Sequence, residues 1–290
     1  MIQRLCVIGV GLIGGSAARR ARGFCREIVG VDVSPENLRR AEELGVIDWG
    51  CEDPAAAARD ADFVLIATPV GAIGEVFRTL ASVWSESAVY TDVGSTKGSV
   101  VEAARSIFRR LPGNFIPGHP VAGAERSGVD AADPDLFVGK RVVLTPLPDS
   151  ETTALQRVES FWQRLGARVS SMDVSHHDVV FAATSHLPHI LAFTLVGMLG
   201  RKDEQAEIFQ YAAGGFRDFT RIASSDARMW SDICHANRRF ILQMLEEFQQ
   251  DLQEVTALIR ADRVDALHTR FREARAARER FLQGMNDDHA

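Results

Sequence analysis

The stretch LCVIGVGLIGGS, residues 5–16, decides the fold of the N-terminal half of this chain. Its apolar run predicts a buried strand over Leu5–Val10, and helix-forming residues follow the glycines. Gly9 allows a tight turn, Gly11 lets the backbone approach a pyrophosphate, and Gly14 permits close packing of a helix against the strand. This G-x-G-x-x-G pattern therefore indicates a dinucleotide-binding βαβ unit, because it lies between a predicted strand and a predicted helix.

An acidic residue follows the glycines at the distance that such a unit requires. Asp32 stands 18 residues after Gly14, near the end of the second predicted strand, Ile28–Val33. A carboxylate at this place accepts hydrogen bonds from the adenosine ribose and repels a 2′-phosphate. The next residues, Val33 and Ser34, supply no arginine for such a phosphate. The pattern favours NAD over NADP as the cofactor, and a surface aspartate that caps the next helix is the alternative interpretation.

Thr68 ends the third predicted strand, Phe63–Thr68, and Pro69 begins the loop after it. Ligands of open α/β sheets bind at the carboxyl ends of the strands, so this loop is expected near the adenine or the nicotinamide. An ordinary turn at the end of a strand is the alternative. The predicted cofactor contacts are Gly9, Gly11, Leu12, Ile13, Gly14, Asp32, Thr68 and Pro69.

The composition excludes several classes of protein. The 290 residues suit two domains, and 46% hydrophobic with 25% charged residues is the usual balance of a soluble globular protein. A net charge of -6 with scattered basic residues argues against nucleic-acid binding. The four cysteines are far apart and form no C-x-x-C pair, so neither a metal site nor a disulfide framework is predicted. A reducing, cytoplasmic setting fits this pattern best.

The pattern of the chain changes at about residue 174. Before it, short β-branched runs alternate with helical segments, which predicts an α/β, doubly wound, Rossmann-type sheet whose later strands include Arg141–Thr145 and Ala167–Ser171. After it, the chain is predicted to be all helical, with one long segment, Asp226–Ile259, that a break could interrupt. The predicted domains are a nucleotide-binding domain (1–173) and a helical substrate-binding and dimerisation domain (174–290). The longest uncharged apolar segment, Leu187–Leu199, is too short to predict a membrane span.

Three further segments place polar, reactive side chains at predicted strand ends or helix starts. They are TDVGSTK (91–97), GHPVAGAE (118–125) and SHLPH (185–189). His119 would serve as a base, since oxidation of an alcohol by hydride loss requires removal of the hydroxyl proton near neutral pH. Each segment also has a purely structural interpretation, in which Ser95 caps a helix, His119 belongs to a turn and His189 lies in the core. The pair His176-His177 is interpreted as a solvated helix start.

Five segments, in order from residue 9 to residue 230, share a wider pattern. They are GVGLIGGS (9–16), DVGSTKGSV (92–100), GHPVAGAERSGVDAADPDLF (118–137), TSHLPHILAF (184–193) and GGFRDFTRIASSDARMW (214–230). Together they resemble the prephenate and arogenate dehydrogenases of tyrosine biosynthesis. The resemblance implies an NAD-dependent homodimer that catalyses the oxidative decarboxylation of prephenate, arogenate or both.

The resemblance also implies a role for individual residues at matching positions. His119 would take the proton of the ring hydroxyl, and Ser95 would hold that hydroxyl and orient the histidine. Arg221 would bind a substrate carboxylate, which suits the planar fork of a guanidinium. The remaining substrate contacts that the resemblance implies are Ser185 and His189 beside the nicotinamide and substrate, Arg217 from the partner subunit, Trp230 as an aromatic wall, and Glu125 at the pocket entrance.

Two other functions remain open at the level of sequence. A β-hydroxyacid or imine dehydrogenase shares a Rossmann domain followed by helices, but it would place a lysine in the middle of the helical domain. Lys202, the lysine of that half, stands beside Asp203 and Glu204 in a predicted loop. A non-catalytic NAD-sensing module is the other alternative, although a sensor has no use for a proton acceptor beside the nicotinamide.

Overall fold

The computed structural model describes residues 1–123 and 126–287. Its strands are β1 Ile2–Ile8, β2 Cys25–Val31, β3 Trp49–Cys51, β4 Phe63–Ile66, β5 Val89–Asp92, β6 Phe115–Ile116, β7 Gly118–Pro120, β8 Arg141–Leu144 and β9 Arg168–Ser171. Its α-helices are α1 Leu12–Ala21, α2 Pro35–Glu43, α3 Pro54–Ala58, α4 Ile73–Leu80, α5 Gly98–Ile107, α6 Thr152–Arg164, α7 Val174–Phe181, α8 Leu187–Leu199, α9 Gln205–Gln210, α10 Gly214–Thr220, α11 Ala227–Ala236, α12 Arg238–Arg260 and α13 Val264–Asp287.

The main sheet has six parallel strands in the order β3-β2-β1-β4-β5-β6. This order confirms the predicted Rossmann-type, doubly wound fold. Alternate residues of β1 supply two separate cores: Leu5 and Val7 belong to one, and Cys6 and Ile8 to the other. Both faces of the sheet are therefore covered, which explains why its strands are continuous apolar runs.

The predicted strands near residues 141–145 and 167–171 lie in a second sheet instead of extending the first. This sheet has the order β7-β8-β9, with β7 antiparallel to β8 and β8 parallel to β9. Pro117 separates β6 from β7 and has no N–H to donate, so it interrupts the ladder at the point where the chain changes sheets. The change places His119 in β7, opposite Val143 of β8.

The C-terminal part is helical, as predicted, and the long segment Asp226–Ile259 is broken at Asn237, between α11 and α12. One π-helical turn, Ala182–His186, joins α7 to α8. By length and composition alone, the continuous run Val174–Leu199 could cross a bilayer, a criterion that core helices of soluble proteins also meet. Within this run, His177 and Asp178 are buried and hydrogen-bonded.

By its internal contacts the chain divides into two compact units, Met1–Ile241 and Leu242–Ala290. The first unit holds both sheets and every residue of the site described below. The second unit contains most of α12 and all of α13, where Arg270 pairs with Asp251 and Glu254. The boundary between residues 173 and 174 stays a prediction.

Candidate active site

The glycine loop between β1 and α1 has the geometry that a dinucleotide requires. Gly9 has a φ of 99°, and a β-carbon there would lie 2.5 Å from the carbonyl oxygen of Ala67. A β-carbon on Gly14 would collide with the carbonyl oxygen of Gly9. At Gly11, by contrast, no described atom lies within 4 Å of the position of a β-carbon. The first and third glycines are thus needed by the fold itself, and the second leaves open space beside the loop.

The start of α1 offers its backbone N–H groups to this space. Gly11 is the N-cap residue, and no side chain accepts a hydrogen bond from the first turn, which Leu12 and Ile13 begin. Free N–H groups at a helix N-terminus are a favourable site for a phosphate. Thr68, in the loop after β4, has an enclosed hydroxyl oxygen with no partner among the described residues, and Pro69 beside it is exposed. These features fit a bound dinucleotide.

Asp32 lies just after β2, held in place by three hydrogen bonds. Its Oδ2 accepts from Val10 N at 3.1 Å and from Asn37 Nδ2 at 2.8 Å, and its Oδ1 accepts from Ser34 N at 3.0 Å. The same amide of Asn37 also donates to the carbonyl of Val10 at 3.0 Å. The carboxylate is therefore fixed at the end of the strand, and Oδ1 keeps lone pairs that a ribose hydroxyl could use.

A chain of hydrogen bonds joins three buried residues, His119, His177 and Asp178, and is called the relay below. Nδ1 of His119 lies 2.9 Å from Nε2 of His177, and Nδ1 of His177 lies 2.9 Å from Oδ1 of Asp178. The His119 ring also packs against Phe181, with centroids 4.6 Å apart. Nε2 of His119 makes no hydrogen bond with the described part of the chain. It is also not one of the buried side-chain atoms that lack a hydrogen-bond partner. One nitrogen of His119 is therefore bound by the protein, and the other is available to a ligand.

Burial keeps His119 and His177 uncharged. Loss of solvation lowers the pKa of His119 well below 6.5, and electrostatic interactions with the neighbouring His177, Lys97 and His186 lower it further. Loss of solvation also lowers the pKa of His177, although the hydrogen bond to Asp178 opposes the change. A neutral His119 can accept a proton at neutral pH, as a general base must.

The Asp178 carboxylate anchors the relay. Its Oδ1 accepts from Lys97 N and its Oδ2 from Gly98 N, both at 2.8 Å. Burial would raise the pKa of Asp178, but the hydrogen bonds from His177 and from these two amides outweigh it and hold the pKa below its usual value. Asp178 is thus a carboxylate that links α7 to the start of α5.

Lys97 connects the loop after β5 to the strand of His119. Its Nζ donates to Asp92 Oδ2 and to the carbonyl of Gly118, both at 2.5 Å. Asp92 Oδ1 in turn accepts from Gly118 N at 3.2 Å. Ser95 lies half-buried in this same loop, between the two charged residues. The two segments that hold Ser95 and His119 are therefore joined by buried hydrogen bonds.

The interpretation of His176-His177 as a solvated helix start was half wrong. His176 is exposed, but His177 is completely buried. Asp173 caps α7 by accepting from Ser175 N and His176 N, and this fixes which positions face inward. The buried residues of α7, His177, Asp178 and Phe181, are spaced as on one face of a helix. The short apolar run VVF (179–181) does not show this spacing by itself.

One further buried histidine, His186, lies beyond the relay and is hydrogen-bonded to Asn237. Asn237, at the break between α11 and α12, donates from Nδ2 to the carbonyl of Asp178 at 2.8 Å and to Nδ1 of His186 at 3.1 Å. His186 Nε2 is enclosed without a partner among the described residues. Burial lowers the pKa of His186 to about 4. Asn237 and His186, like Lys97 and Asp178, were not predicted as functional residues.

His189 and Trp230 form a stacked pair. Their ring centroids are 3.7 Å apart, with an interplanar angle of 19°. Nδ1 of His189 donates to the carbonyl of Ser185, in the preceding π-helical turn, at 2.9 Å. The structure therefore brings these three predicted substrate contacts together, with Ser185 in the π-helical turn, His189 on α8 and Trp230 on α11.

The sequence predicts that two arginines, Arg221 and Arg217, contact the substrate. Arg221 begins the 3-10 turn Arg221–Ser224 and is exposed, and its positive charge lowers the pKa of His189, although burial of the ring is the larger cause. Arg217 is exposed in the last turn of α10. Lys202, the lysine considered for a hydroxyacid dehydrogenase, is also exposed. Glu125 lies outside the described residues.

No group of three or more His, Cys, Asp or Glu side chains that could hold a metal ion occurs among residues 1–123 and 126–287. The clustered groups are instead hydrogen-bond donors and acceptors around the carboxyl end of the main sheet. This arrangement suits proton transfer beside a bound dinucleotide.

Comparisons with known proteins agree with this geometry. The family model of the prephenate dehydrogenase nucleotide-binding domain matches residues 16–171, and that of the prephenate dehydrogenase dimerization domain matches residues 173–273. A cyclohexadienyl dehydrogenase of Zymomonas mobilis is 37% identical over 283 residues, which cover 96% of each chain.

Solved structures give the same answer. Prephenate dehydrogenase from A. aeolicus, in complex with hydroxyphenyl propionate and NAD+, is 37% identical and has a TM-score of 0.89 over 97% of this chain and 99% of that one. Synechocystis arogenate dehydrogenase is 26% identical, with a TM-score of 0.80 over 96% and 100% of the two chains. The chain therefore belongs to the prephenate dehydrogenase family and is an NAD-dependent oxidoreductase.

Proposed function

We propose that this chain catalyses the oxidative decarboxylation of prephenate to 4-hydroxyphenylpyruvate, of arogenate to tyrosine, or of both, with His119 as the proton acceptor. The observation that supports this role is the state of His119, a buried neutral imidazole with Nδ1 bound to His177 and Nε2 available. Relatives named for both substrates support the choice of reaction.

The chemistry requires three groups in fixed places. The substrate is a cyclohexadienol with a carboxylate at the opposite ring position, and it becomes aromatic when hydride and carbon dioxide leave. NAD, when bound, supplies the hydride acceptor. His119 takes the hydroxyl proton as the hydride leaves and returns it to the phenolate oxygen after decarboxylation, so that no net proton is gained or lost. Aromatisation provides the driving force.

The other predicted side chains orient the ring. Ser95 would donate to or accept from the same hydroxyl, since its loop is joined to the strand of His119 through Lys97. Arg221 would bind a substrate carboxylate, with two parallel hydrogen bonds as the favourable geometry. Trp230 and His189, stacked on each other, would form one wall of the pocket with Ser185 beside them. Glu125 is proposed at the pocket entrance from the resemblance alone.

We also propose that the active form is a cytoplasmic homodimer. The match to a dimerization domain supports the assembly, and the four free cysteines are typical of a reducing compartment. Arg217, exposed on α10, would then reach the site of the partner subunit. Sedimentation of an active monomer would contradict both the dimer and this role of Arg217.

The proposed reaction is tested by incubating the purified chain with NAD and either prephenate or arogenate. We expect NADH absorbance together with the matching aromatic product from at least one substrate. His119→Asn should lower kcat by roughly 100-fold or more while KM changes little, because the base acts mainly in the transition state. Absence of both NADH and aromatic product with both substrates would refute the proposal.

A further inference from the structure

We infer that His177 and Asp178 are positioning residues that keep the proton of His119 on Nδ1 and so leave Nε2 unprotonated for the substrate. The inference rests on the proposed role of His119 as proton acceptor. It concerns which nitrogen of the base is free, a property that the family assignment does not specify.

The direction is set at Asp178. Its carboxylate oxygens already accept N–H groups from Lys97 and Gly98 at 2.8 Å, and an ionised carboxylate can only accept. Nδ1 of His177, 2.9 Å from Oδ1, must therefore be the donor. A neutral imidazole with its proton on Nδ1 has a lone pair on Nε2.

The tautomer of His177 fixes the tautomer of His119. Nε2 of His177 accepts, so Nδ1 of His119 must donate across the 2.9 Å that separates them. In the neutral ring, Nε2 of His119 is then the basic nitrogen. Nothing else in the described residues bonds to the His119 ring nitrogens, so removal of His177 would leave the position of its proton unspecified.

The reverse direction requires a state that the surroundings disfavour. If Nε2 of His177 were the donor, its Nδ1 would present a lone pair to the Asp178 carboxylate, unless Asp178 were protonated. Protonation of Asp178 would add a proton to a carboxyl group whose two oxygens each already accept an N–H, from Lys97 and from Gly98. A doubly protonated His177 would instead be a cation that is fully buried in the fold.

The relay also stabilises the product of proton transfer. When His119 becomes an imidazolium, its Nδ1–H still donates to His177, which donates to a carboxylate. Lys97, Asp92 and His186 are the other charged or titratable groups around the relay, and Lys97 and Asp92 neutralise each other as an ion pair. Asp178 is thus the negative group whose hydrogen bonds lead to His119.

Three variants test the inference through kinetics. His177→Leu removes the acceptor, and we expect kcat to fall by roughly 100-fold or more while KM for NAD and for substrate stays within about threefold. His177→Gln keeps an oxygen that can accept from Nδ1 of His119, so its kcat should be at least about tenfold higher than that of His177→Leu. His176→Leu, the same change at the exposed neighbour, should retain wild-type kcat.

A spectroscopic measurement separates positioning from general damage and from failure of the proposed reaction. Nitrogen NMR of histidine-labelled protein, with His119 assigned from the His119→Asn variant, should show the His119 proton on Nδ1 in the wild-type enzyme and on Nε2 or on both nitrogens in His177→Leu. Detection of the wild-type proton on Nε2 would overturn the inference, whatever the activity. Wild-type kcat in His177→Leu would overturn it too, and if that variant fails to fold, the wild-type spectrum and His177→Gln decide.

Discussion

Lys97 Nζ lies 2.5 Å from Oδ2 of Asp92, and neither side chain is exposed to solvent. The lysine also donates to the carbonyl of Gly118, the residue before His119. A buried ion pair is not in itself strongly stabilising, because both charges lose their hydration. Removal of one partner, however, leaves the other charge buried and uncompensated.

Lys97→Met should therefore lower the free energy of unfolding by about 3–5 kcal/mol. Urea denaturation followed by circular dichroism measures the effect. The double variant Lys97→Met/Asp92→Asn, which has no buried charge at this site, should be more stable than Lys97→Met alone. Equal or lower stability of the double variant would show that the loss arises from packing and not from the unpaired carboxylate.

The two glycines of the cofactor loop should respond differently to the same substitution. A β-carbon at Gly11 meets no described atom within 4 Å, so Gly11→Ala should keep the wild-type melting temperature within about 2 °C. It should still weaken NAD binding by roughly tenfold or more, since the added methyl group occupies the space that the pyrophosphate needs.

Gly14→Ala is the contrasting case, because its β-carbon would collide with the backbone of Gly9. We expect a lower melting temperature or insoluble protein. Calorimetric titration with NAD and a thermal melt measure both variants. Wild-type affinity for NAD in Gly11→Ala would contradict the placement of the pyrophosphate at this loop.

Asp32 should control the choice between NAD and NADP. Asp32→Asn removes the charge that repels a 2′-phosphate and weakens the acceptor for the ribose hydroxyls. We expect kcat/KM with NAD to fall roughly 10- to 100-fold, the effect of losing a charge-assisted hydrogen bond, and kcat/KM with NADP to rise. Glu36→Gln, which removes an exposed charge at the start of α2, is the matched control. An unchanged ratio of the two cofactors in Asp32→Asn would exclude Asp32 as the selecting residue.

The fold of the nucleotide-binding half could be predicted because its signals are local. The glycines, the apolar run of β1 and Asp32 all lie within a short stretch of chain, and the strand order follows from the βαβ unit. The second sheet was not predicted. Its strands β7 and β8 pair across a long connection, and pairing between distant segments leaves no periodic signal in either strand.

The chemistry around His119 could be predicted only in part for the same reason. His119 stands in a recognisable segment, but its partner His177 comes 58 residues later and looks like a polar helix start. Lys97 belongs to a segment that was singled out for Ser95, yet its burial depends on Asp92 and Gly118 together. Asn237 contacts Asp178 and His186 across two helices. Such roles depend on tertiary contacts that no single segment contains.

The buried histidines should make the protein less stable as the pH falls. Burial lowers the pKa of His119, His177, His186 and His189 in the folded chain, whereas the unfolded chain titrates near pH 6.5. The unfolded chain therefore binds more protons below that pH, so stability is full above pH 6.5 and is lost as the pH falls. His186, with a pKa of about 4, alone accounts for a loss of roughly 3 kcal/mol in the free energy of unfolding between pH 6.5 and pH 4.

Urea midpoints between about pH 8 and pH 5 measure this loss, because the lowered carboxylate pKa values act only at more acidic pH. His186→Asn, in which the titrating ring is absent, should reduce the slope of stability against pH. A flat profile down to pH 5 in the wild-type chain would contradict the assignment of the four histidines as neutral.

Arg221 should act on substrate binding and not on the cofactor. Burial lowers the pKa of His189 and the charge of Arg221 lowers it further, and the turn that Arg221 begins contacts α8, the helix that carries His189. Arg221→Ala should raise KM for prephenate or arogenate roughly 10- to 100-fold, the effect of losing a hydrogen-bonded ion pair, while KM for NAD stays within about threefold.

Arg221→Lys distinguishes charge from geometry at this position. A lysine keeps the positive charge but cannot form two parallel hydrogen bonds to a carboxylate, so it should recover only part of the lost affinity. Arg109→Ala, an exposed arginine of the nucleotide-binding half, is the control for a simple change of net charge. An unchanged substrate KM in Arg221→Ala would refute the carboxylate-binding role, because binding energy that is made in the ground state must appear in KM when it is removed.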